Sequence, residues 1–154
     1  MPARTVVQTI AGATLGLSAS LPATYDQAGY EASAMVYTDI AEIDDFGPHG
    51  MKATITEFTP VSTGVVAKMK GSKNYGTMAL SIGSIPSNAG QALLETAAES
   101  NNHFSAKYSY PDGEVHYLDV VVATKEYRDG SVNNASKIGV DLGICRKPVV
   151  VAAV

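Results

Sequence analysis

Residues 104–125, FSAKYSYPDGEVHYLDVVVATK, contain the pattern that decides the fold of this chain. Two extended segments, 104–110 and 115–125, flank the tripeptide Pro-Asp-Gly at 111–113, and its glycine permits the backbone conformation that a tight reversal requires. Aromatic and β-branched residues are frequent in both segments, as is typical of strands. The stretch therefore predicts a β-hairpin, and its turn is the clearest in the chain.

Further strands are predicted where apolar and polar residues alternate with a period of two. Segments 14–21, 77–82 and 137–144 alternate in this way, which is typical of strands with one buried face. Another strand is expected over 35–43, ended by a turn cluster of acidic, glycine and proline residues at 44–48. The chain is therefore predicted to be mainly β.

One helix is predicted over residues 88–99. Asn88 can cap its first turn, and Gln91 occupies the third helical position. Apolar residues at helical spacing are expected to form the buried face of the helix: Leu93, Leu94, Ala97 and Ala98. Polar residues spaced four apart are expected to form its exposed face: Gln91, Glu95 and Glu99.

Residues 47–75 are predicted to form a long loop or hairpin. Segments 52–58 and 64–70 can both be extended, with residues 59–63 between them. Their apolar side chains are sparse, so this hairpin has little to bury against its own domain and is expected to need an outside partner. The run 70–73 lacks the glycine spacing and the strand-to-helix context of a phosphate loop, and it predicts a turn with solvated lysines.

The two ends of the chain are predicted to be arms, 1–12 and 148–154. The C-terminal arm has no charged side chain and the composition of a strand. It is expected to pair with its own sheet or with a neighbouring chain, because a free strand of this kind aggregates. Polar residues interrupt the N-terminal apolar residues, so a secretory signal is disfavoured. No run of eighteen apolar residues predicts a membrane span.

Composition limits the classes of function. The 154 residues predict a single domain over 1–154. Eleven basic and fifteen acidic residues give a net charge of −4, which disfavours tight binding to nucleic acid or to anionic lipid. The single cysteine excludes an internal disulfide and cannot form a structural zinc site by itself.

No catalytic residue, metal site or cofactor is predicted. The three histidines lie far apart in sequence, at positions 49, 103 and 116, without the spacing of metal ligands. A dyad of Cys145 with His116 lacks a third member, and a small apolar residue in a strand is the favoured role of the cysteine. Residues 129–134 lack the spacing and the distal glutamate of a calcium loop. An enzyme is therefore disfavoured.

Three groups of residues, taken in order, resemble the major tail tube proteins of long-tailed phages, and with the helix and the hairpin after it the resemblance covers most of residues 10–147. The groups are Pro22-Ala23-Thr24-Tyr25-Asp26 with Gly29-Tyr30, then Ile40, Glu42-Ile43 and Asp45-Phe46-Gly47, then Lys70-Gly71-Ser72 with Tyr75-Gly76. The resemblance implies a β-sandwich or half-barrel flanked by one helix. It also implies assembly into hexameric rings that contribute strands to a common barrel and stack into a hollow tube.

The same resemblance implies contacts and partners. Segment 47–75 is expected to contact adjacent subunits, and both arms are expected to reach neighbouring rings. Implied partners are other copies of the chain, a tape-measure protein, tail-tip or distal tail and tail terminator proteins, and duplex DNA that passes without specific binding. The implied location is the virion tail, with the host cytoplasm during assembly. The implied contact residues are Phe46, Gly47, Phe58, Lys70, Gly71, Ser72, Tyr75, Pro148, Val149, Val150 and Val151.

Physical dimensions and charge bear on a tube of this kind. An eight-stranded barrel is too narrow for duplex DNA, whereas about 24 strands give a diameter near 50 Å. A basic bore would bind DNA, and an acidic or neutral bore avoids this. Four acidic residues lie at or near the end of a predicted strand: Asp39, Glu42, Asp44 and Asp45. They form either a solvated sheet edge or an acidic wall of the bore, and composition does not decide between the two.

Two alternatives to a tail tube remain at this stage. One is another β-rich virion component, such as a head decoration or connector protein. The other is a monomeric β-sandwich module that binds a ligand through tyrosines, although no compact cluster of tyrosines is visible in the sequence.

Overall fold

Ten strands and two helices make up residues 4–153, the part of the chain that the computed structural model describes. A mainly β chain with one helix was predicted from the sequence; the mainly β class is confirmed, and a short second helix is present. In chain order the elements are β1 Thr14–Ser18, α1 Gln27–Tyr30, β2 Thr38–Asp39, β3 Ile43–Phe46, β4 Lys52–Phe58, β5 Ala67–Asn74, β6 Thr77–Gly83, α2 Ala89–Glu99, β7 Phe104–Ser109, β8 Val115–Arg128, β9 Lys137–Ile144 and β10 Val149–Val151.

Eight of the strands form one antiparallel sheet around the β7–β8 hairpin. The order is β2-β1-β7-β8-β9-β6-β3, and Gly113 has a positive φ of 100° at the hairpin turn. The long strand β8 pairs with β9 along its C-terminal part, and β10 pairs with residues 115–117 of β8. Strands β9 and β10 therefore occupy successive stretches of one edge of β8.

The sheet is strongly curved and closes partly on itself. The ring of Phe46 in β3 packs edge-to-face against Tyr108 in β7, with a centroid distance of 4.8 Å, although three strands separate β3 from β7 in the sheet order. Only a rolled sheet brings these positions together. The result is an open half-barrel with its apolar face inside.

Period-two alternation places the core on the concave face of this sheet. Strand residues that alternate with polar ones pack there with Leu94 and Ala97 of α2, and each large buried side chain contributes about 1.5–3 kcal/mol to folding. The strand residues of this core are Leu15, Leu17, Met78, Leu80, Ile82, Phe104, Ala106, Tyr108, Leu118, Val120, Val122, Ile138, Val140, Leu142 and Ile144.

Helix α2 lies where the sequence predicts it, but Gln91 was assigned to the wrong face. Asn88 caps the helix by accepting a hydrogen bond from the Gln91 backbone N–H at 3.1 Å. The Gln91 side chain is 4% exposed: its Oε1 accepts from Ile85 N–H, and its Nε2 donates to the carbonyls of Gly83 and Ala41. The amide therefore satisfies three backbone groups that have no strand partner there, and helical periodicity alone could not show this.

Replacing Gln91 by leucine is expected to lower the free energy of unfolding by about 2–3 kcal/mol, because three buried backbone groups lose their partner. Urea denaturation of the purified chain measures this change. Glu99→Leu, on the exposed side of the same helix, is the control and is expected to stay within about 0.5 kcal/mol of the original. Equal stability of both variants would contradict the role given to Gln91.

The prediction of one strand over 35–43 is wrong, because the chain crosses there from one edge of the sheet to the other. The predicted strand is replaced by β2, which pairs with β1, and β3, which pairs with β6 at the opposite end of the sheet. Between them Glu42 adopts a left-handed φ of 60°. A continuous strand cannot serve both edges, so the backbone must break. The turn expected over 44–48 is also wrong in part, since residues 44–46 belong to β3.

Smaller boundaries also differ from the expectations. Helix α1 adds one turn within a segment expected to be a loop, and Asp26 caps it by accepting from Gly29 N–H at 2.8 Å. Strand β1 ends at Ser18 rather than at residue 21. Strand β5 spans Ala67–Asn74 instead of 64–70, so the turn expected over 70–73 is wrong.

Candidate functional site: a projecting hairpin and its base

Strands β4 and β5 form a two-stranded sheet of their own, next to the eight-stranded sheet. Every residue of the two strands except Ala53 is exposed. An isolated ribbon of this kind buries little apolar surface and is marginally stable by itself. The β4–β5 hairpin therefore has the properties of a segment that is completed by another surface.

Large apolar side chains of the hairpin and its tip face solvent. Ile55 and Phe58 are 58% and 59% exposed, and Val61 at the tip is fully exposed. Cross-strand pairing places Ile55 opposite Lys70 and Phe58 opposite Ala67. Several large apolar side chains exposed on one hairpin indicate an interaction site.

The hairpin carries charge of the opposite sign to the rest of the chain. Residues 51–74 contain four lysines and one glutamate, a charge of +3, so the remaining residues carry −7 of the total of −4. Glu57 and Lys68 lie 3.9 Å apart and both are exposed, so their attraction contributes little to stability. The other lysines, at positions 52, 70 and 73, remain available to an acidic surface.

The predicted contact residues at the base of the hairpin are held by their own subunit. Phe46 packs on Tyr108, and Tyr75 packs against the core. The Gly47 N–H donates to the Ala79 carbonyl at 2.7 Å, and a Cβ on Gly47 would come within 2.5 Å of that oxygen. These residues anchor the hairpin, whereas the remaining predicted contacts on it are exposed: Phe58, Lys70, Gly71 and Ser72.

The C-terminal residues 149–151 pair with β8 of their own chain. Of the two expected pairings, own sheet or neighbour, the structure has the first. Pro148, Val149 and Val151 are half-buried, and Val150 is exposed. A cleft of about 450 Å³ lies between this segment and the hairpin base, lined by residues that include Val150, Met51 and Lys73.

The N-terminal arm is tied to the turn between β7 and β8. Arg4 Nε lies 2.8 Å from Oδ2 of Asp112, a buried oxygen without a hydrogen-bond partner among residues 4–153, so the contact is an ion pair. The Arg4 guanidinium also lies over the Tyr110 ring at 5.0 Å. Residues 1–3 of the predicted arm lie outside the described residues.

The four predicted acidic residues do not form one cluster. Asp39 lies on β2 and Asp45 on β3, at opposite edges of the sheet, and Glu42 lies in the crossover. Asp44 accepts a hydrogen bond from Lys137 at 2.6 Å, and this bond is the main cause that lowers the pKa of its carboxyl. The negative charges of these four residues are therefore spread over both edges of the sheet and the crossover between them.

The convex face of β6 and β9 carries small residues, the carboxylate of Asp141 and the ammonium of Lys137, and the Arg128 guanidinium of β8 lies over Gly139. The register pairs Thr77 with Gly143, Ala79 with Asp141 and Ser81 with Gly139, opposite the core side chains. Asp45 of β3 pairs with Ser81 on the same face. The strict alternation of β9 could have identified Asp141 as a member of this face, but it was not predicted as a site.

Tyrosines distant in sequence form a compact cluster on the convex side of β8. The rings of Tyr30 and Tyr117 stack at 5.1 Å, and Tyr37 lies 6.0 Å from Tyr117. Burial raises the pKa of Tyr30 to about 12. The rings fill the space with their own side chains, so the cluster stabilises the loop over β8 and does not support the tyrosine-based ligand module.

The histidine and cysteine side chains considered as candidate catalytic residues are not arranged for catalysis. Both ring nitrogens of His116 are engaged, by His49 and Glu114, so the dyad with Cys145 is not formed. Burial is the main cause that raises the pKa of the Cys145 thiol, which disfavours the thiolate. Within residues 4–153 there is no group of three or more potential metal ligands. None of the helices there combines the length and hydrophobicity that a membrane crossing requires.

Comparison with known proteins identifies the fold. No family model and no curated protein matches the sequence. Among solved structures, a chain of the sixfold-symmetrised baseplate of the anti-feeding prophage is similar over 99% of both chains, with a TM-score of 0.67 and 11% identity. A chain of the native gene transfer agent virion matches 90% of this chain and 95% of its own length, with a TM-score of 0.62 and 11% identity. The SPP1 tail tube structure matches 91% of this chain and 76% of its own, with a TM-score of 0.59 and 14% identity.

These similarities define the class of fold. The chain has the fold found in the SPP1 tail tube, in the anti-feeding prophage baseplate and in the sheath-tube complex of an extracellular contractile injection system, so the predicted likeness to tail tube proteins is confirmed at the level of fold. The similar structures include an extracellular contractile injection system as well as the SPP1 tail tube, so the fold does not single out long-tailed phages.

Proposed function

We propose that this chain is a structural virion protein that self-assembles into stacked hexameric rings, forming the tube of a phage tail through which DNA is delivered. The observation that carries the proposal is the β4–β5 hairpin, exposed and partly apolar, on a fold shared with tube structures. No enzymatic step is part of this function.

Interaction between copies follows from the hairpin's surface and charge. Its exposed apolar residues would leave water on contact with a second copy, which favours association. Its charge of +3 is complementary to the acidic remainder of a neighbouring chain, which favours correct orientation. Phe58, Lys70, Gly71 and Ser72 would contact the neighbour directly, with Phe46, Gly47 and Tyr75 setting the direction of the hairpin and residues 148–151 contributing a second contact.

The convex face of β6 and β9 is suited to the wall of the bore. Many of its side chains are small, its two cations are each paired with a carboxylate, Lys137 with Asp44 and Arg128 with Glu126, and Asp45 and Asp141 add negative charge. Because duplex DNA carries one charge per ~1.7 Å, a basic wall would retain it, whereas a face whose cations are paired with carboxylates would not. Six copies carry a total of about −24. DNA would therefore pass without specific binding.

A role in a tail tube also implies partners other than copies of this chain. The chain would surround a tape-measure protein, end at tail-tip or distal tail and terminator proteins, assemble in the host cytoplasm and reside in the virion tail. Structures with this fold include a sheath/tube terminator and a tube-terminating cap. A head decoration or connector protein is the second candidate, and its position in the particle would distinguish it.

Negative-stain electron microscopy of the purified chain tests the proposal. We expect rings with six subunits and tubes of stacked rings, because the hairpin supplies an unpartnered surface on every copy. Sedimentation measured over a range of protein concentrations and salt provides the control for non-specific aggregation. A chain that stays monomeric and folded under all these conditions would refute the tube.

A further inference from the structure

Two histidines connect the hairpin base to the main sheet. His49 lies in the connection between β3 and β4, and His116 lies on β8. Nε2 of His49 is 2.8 Å from Nδ1 of His116, and Nε2 of His116 is 2.7 Å from Oε1 of Glu114. The second oxygen of Glu114 lies 3.5 Å from Nη2 of Arg4. A line of polar contacts therefore runs from the hairpin base to the N-terminal arm.

The histidine pair is packed against rings of β7. His49 lies edge-on to Tyr108 at 5.5 Å and to His116 at 5.0 Å, and Tyr110 lies 4.9 Å from His116. Other ionisable groups border the pair or the cleft beside it, and they come from the arm, the hairpin, the β7–β8 turn and the segment before β10: Arg4, Lys52, Lys73, Tyr75, Asp112, Glu114 and Lys147.

The hydrogen bonds restrict how many protons the pair can carry. A carboxylate accepts from His116 Nε2, so in the neutral pair His116 Nδ1 is the acceptor and His49 Nε2 the donor. One added proton is tolerated, because a neutral His49 can change tautomer and accept from the His116 imidazolium. A second proton leaves two donors facing each other with like charges. The contact then becomes repulsive, and Lys73 and Lys147 beside the cleft add to the repulsion.

We propose that His49 and His116 form a proton-controlled latch that holds the hairpin in one orientation when at most one proton is bound and releases it when both rings are charged. Gly47 and Tyr75 keep the hairpin attached on release, so the change is a rotation at its base and not unfolding of the sheet.

The pKa of His49 agrees with this geometry. Burial, followed by the charge of His116, lowers it from the ordinary 6.5. The unfolded chain therefore binds this proton more readily than the folded chain, and the contribution of the neutral ring to stability is complete above pH 6.5. It is lost as the pH falls below 6.5 through the folded value, and the latch opens in that range.

The latch concerns the conformation of one chain, and only its consequence depends on the proposed function. If the hairpin directs contacts between copies, release would broaden its orientations and slow tube growth at acid pH. The latch is therefore tested on the dilute, unassembled chain, and assembly is scored separately. Loss of assembly with an intact latch would refute the tube and leave the latch unaffected.

Distances between spin labels measure the orientation of the hairpin directly. The full chain carries Cys145→Ser, with new cysteines at Thr63 on the hairpin tip and Thr96 on the exposed side of α2. We expect one narrow distance distribution at pH 7.5 and a broad one at pH 5.0. The ratio of released to held hairpin should rise by up to about tenfold per pH unit as the pH falls from 6.5 towards the lowered pKa of His49, and level off below that pKa. His49→Gln, which can still donate to His116 but does not titrate, is expected to stay narrow throughout.

His103→Gln is the matched control, because His103 is the remaining histidine and contacts Asp119 on another part of the sheet. It should broaden with acid as the parent does. If His49→Gln folds poorly, His49→Phe retains an aromatic ring on Tyr108 but neither donates to His116 nor titrates, so its distribution, whatever its width, is expected to be the same at pH 7.5 and pH 5.0. A parent distribution unchanged between pH 7.5 and 5.0, or a His49 variant that broadens like the parent, would overturn the latch.

Discussion

Replacing residues 52–74 by an Asn-Gly turn is expected to abolish tube formation and leave the rest of the chain folded. Lys52 and Asn74 are paired neighbours, so a two-residue turn can join the chain at this level without displacing β3 or β6. The deleted residues are exposed apart from the half-buried Ala53 and Pro60, so the core stays intact. Electron microscopy and sedimentation measure assembly, and thermal unfolding measures the stability of the body.

A hairpin of unchanged length but reversed charge is the matched control for this deletion. Lys68→Glu, Lys70→Glu and Lys73→Glu together convert the hairpin charge from +3 to −3. We expect weaker assembly than in the parent, partly restored by high salt, because screening reduces repulsion between like-charged surfaces. Normal tubes from the deletion variant would show that the hairpin is dispensable and that another surface joins the copies.

The substitution Gly90→Ala is expected to lower the free energy of unfolding by about 2–3 kcal/mol, the cost of forcing atoms into a closely packed site. At an ordinary helical position the same change would stabilise by about 1 kcal/mol. Here a Cβ would lie 2.2 Å from the Asp39 carbonyl oxygen and 2.8 Å from Cα of Ile40. Helix α2 would have to move away from the crossover between β2 and β3. Chemical denaturation monitored by circular dichroism measures the change.

Thr96→Ala provides the comparison on the same helix. Thr96 is exposed, and its hydroxyl donates only to the Ala92 carbonyl of the preceding turn. We expect stability equal to the parent or higher by up to about 0.5 kcal/mol. If Gly90→Ala also stabilised the protein, the close approach of helix and crossover would not exist in solution.

The strands that the sequence predicted well are those whose signal is local. The β7–β8 hairpin has its turn residues and both strands within one stretch, and β9 alternates without interruption over Lys137–Ile144. The start of α2 at Asn88 follows from a capping side chain next to the helix. In these cases neighbouring residues decide the conformation, so the strand period of 2 and the helix period of 3.6 residues are sufficient to predict it.

The errors lie where distant segments decide the conformation. The break between β2 and β3 exists because the chain must cross from one edge of the curved sheet to the other. Gln91 is buried because backbone groups of Ala41 and Gly83 happen to end beside the helix. The tyrosine cluster and the pair of His49 with His116 join residues far apart in the chain, and no spacing in the sequence indicates such contacts.

By itself the sequence determined the mainly β class, most strand faces, the helix, the projecting hairpin and the likeness to tail tube proteins. Alternation, capping and turn residues act over a few neighbouring positions, so they can be recognised in the amino-acid sequence. Only the tertiary structure decided the edge crossover, the role of Gln91, the dispersal of the acidic residues along two sheet edges and the contacts at the hairpin base. These depend on how the sheet curves, and curvature brings together side chains that no local pattern relates.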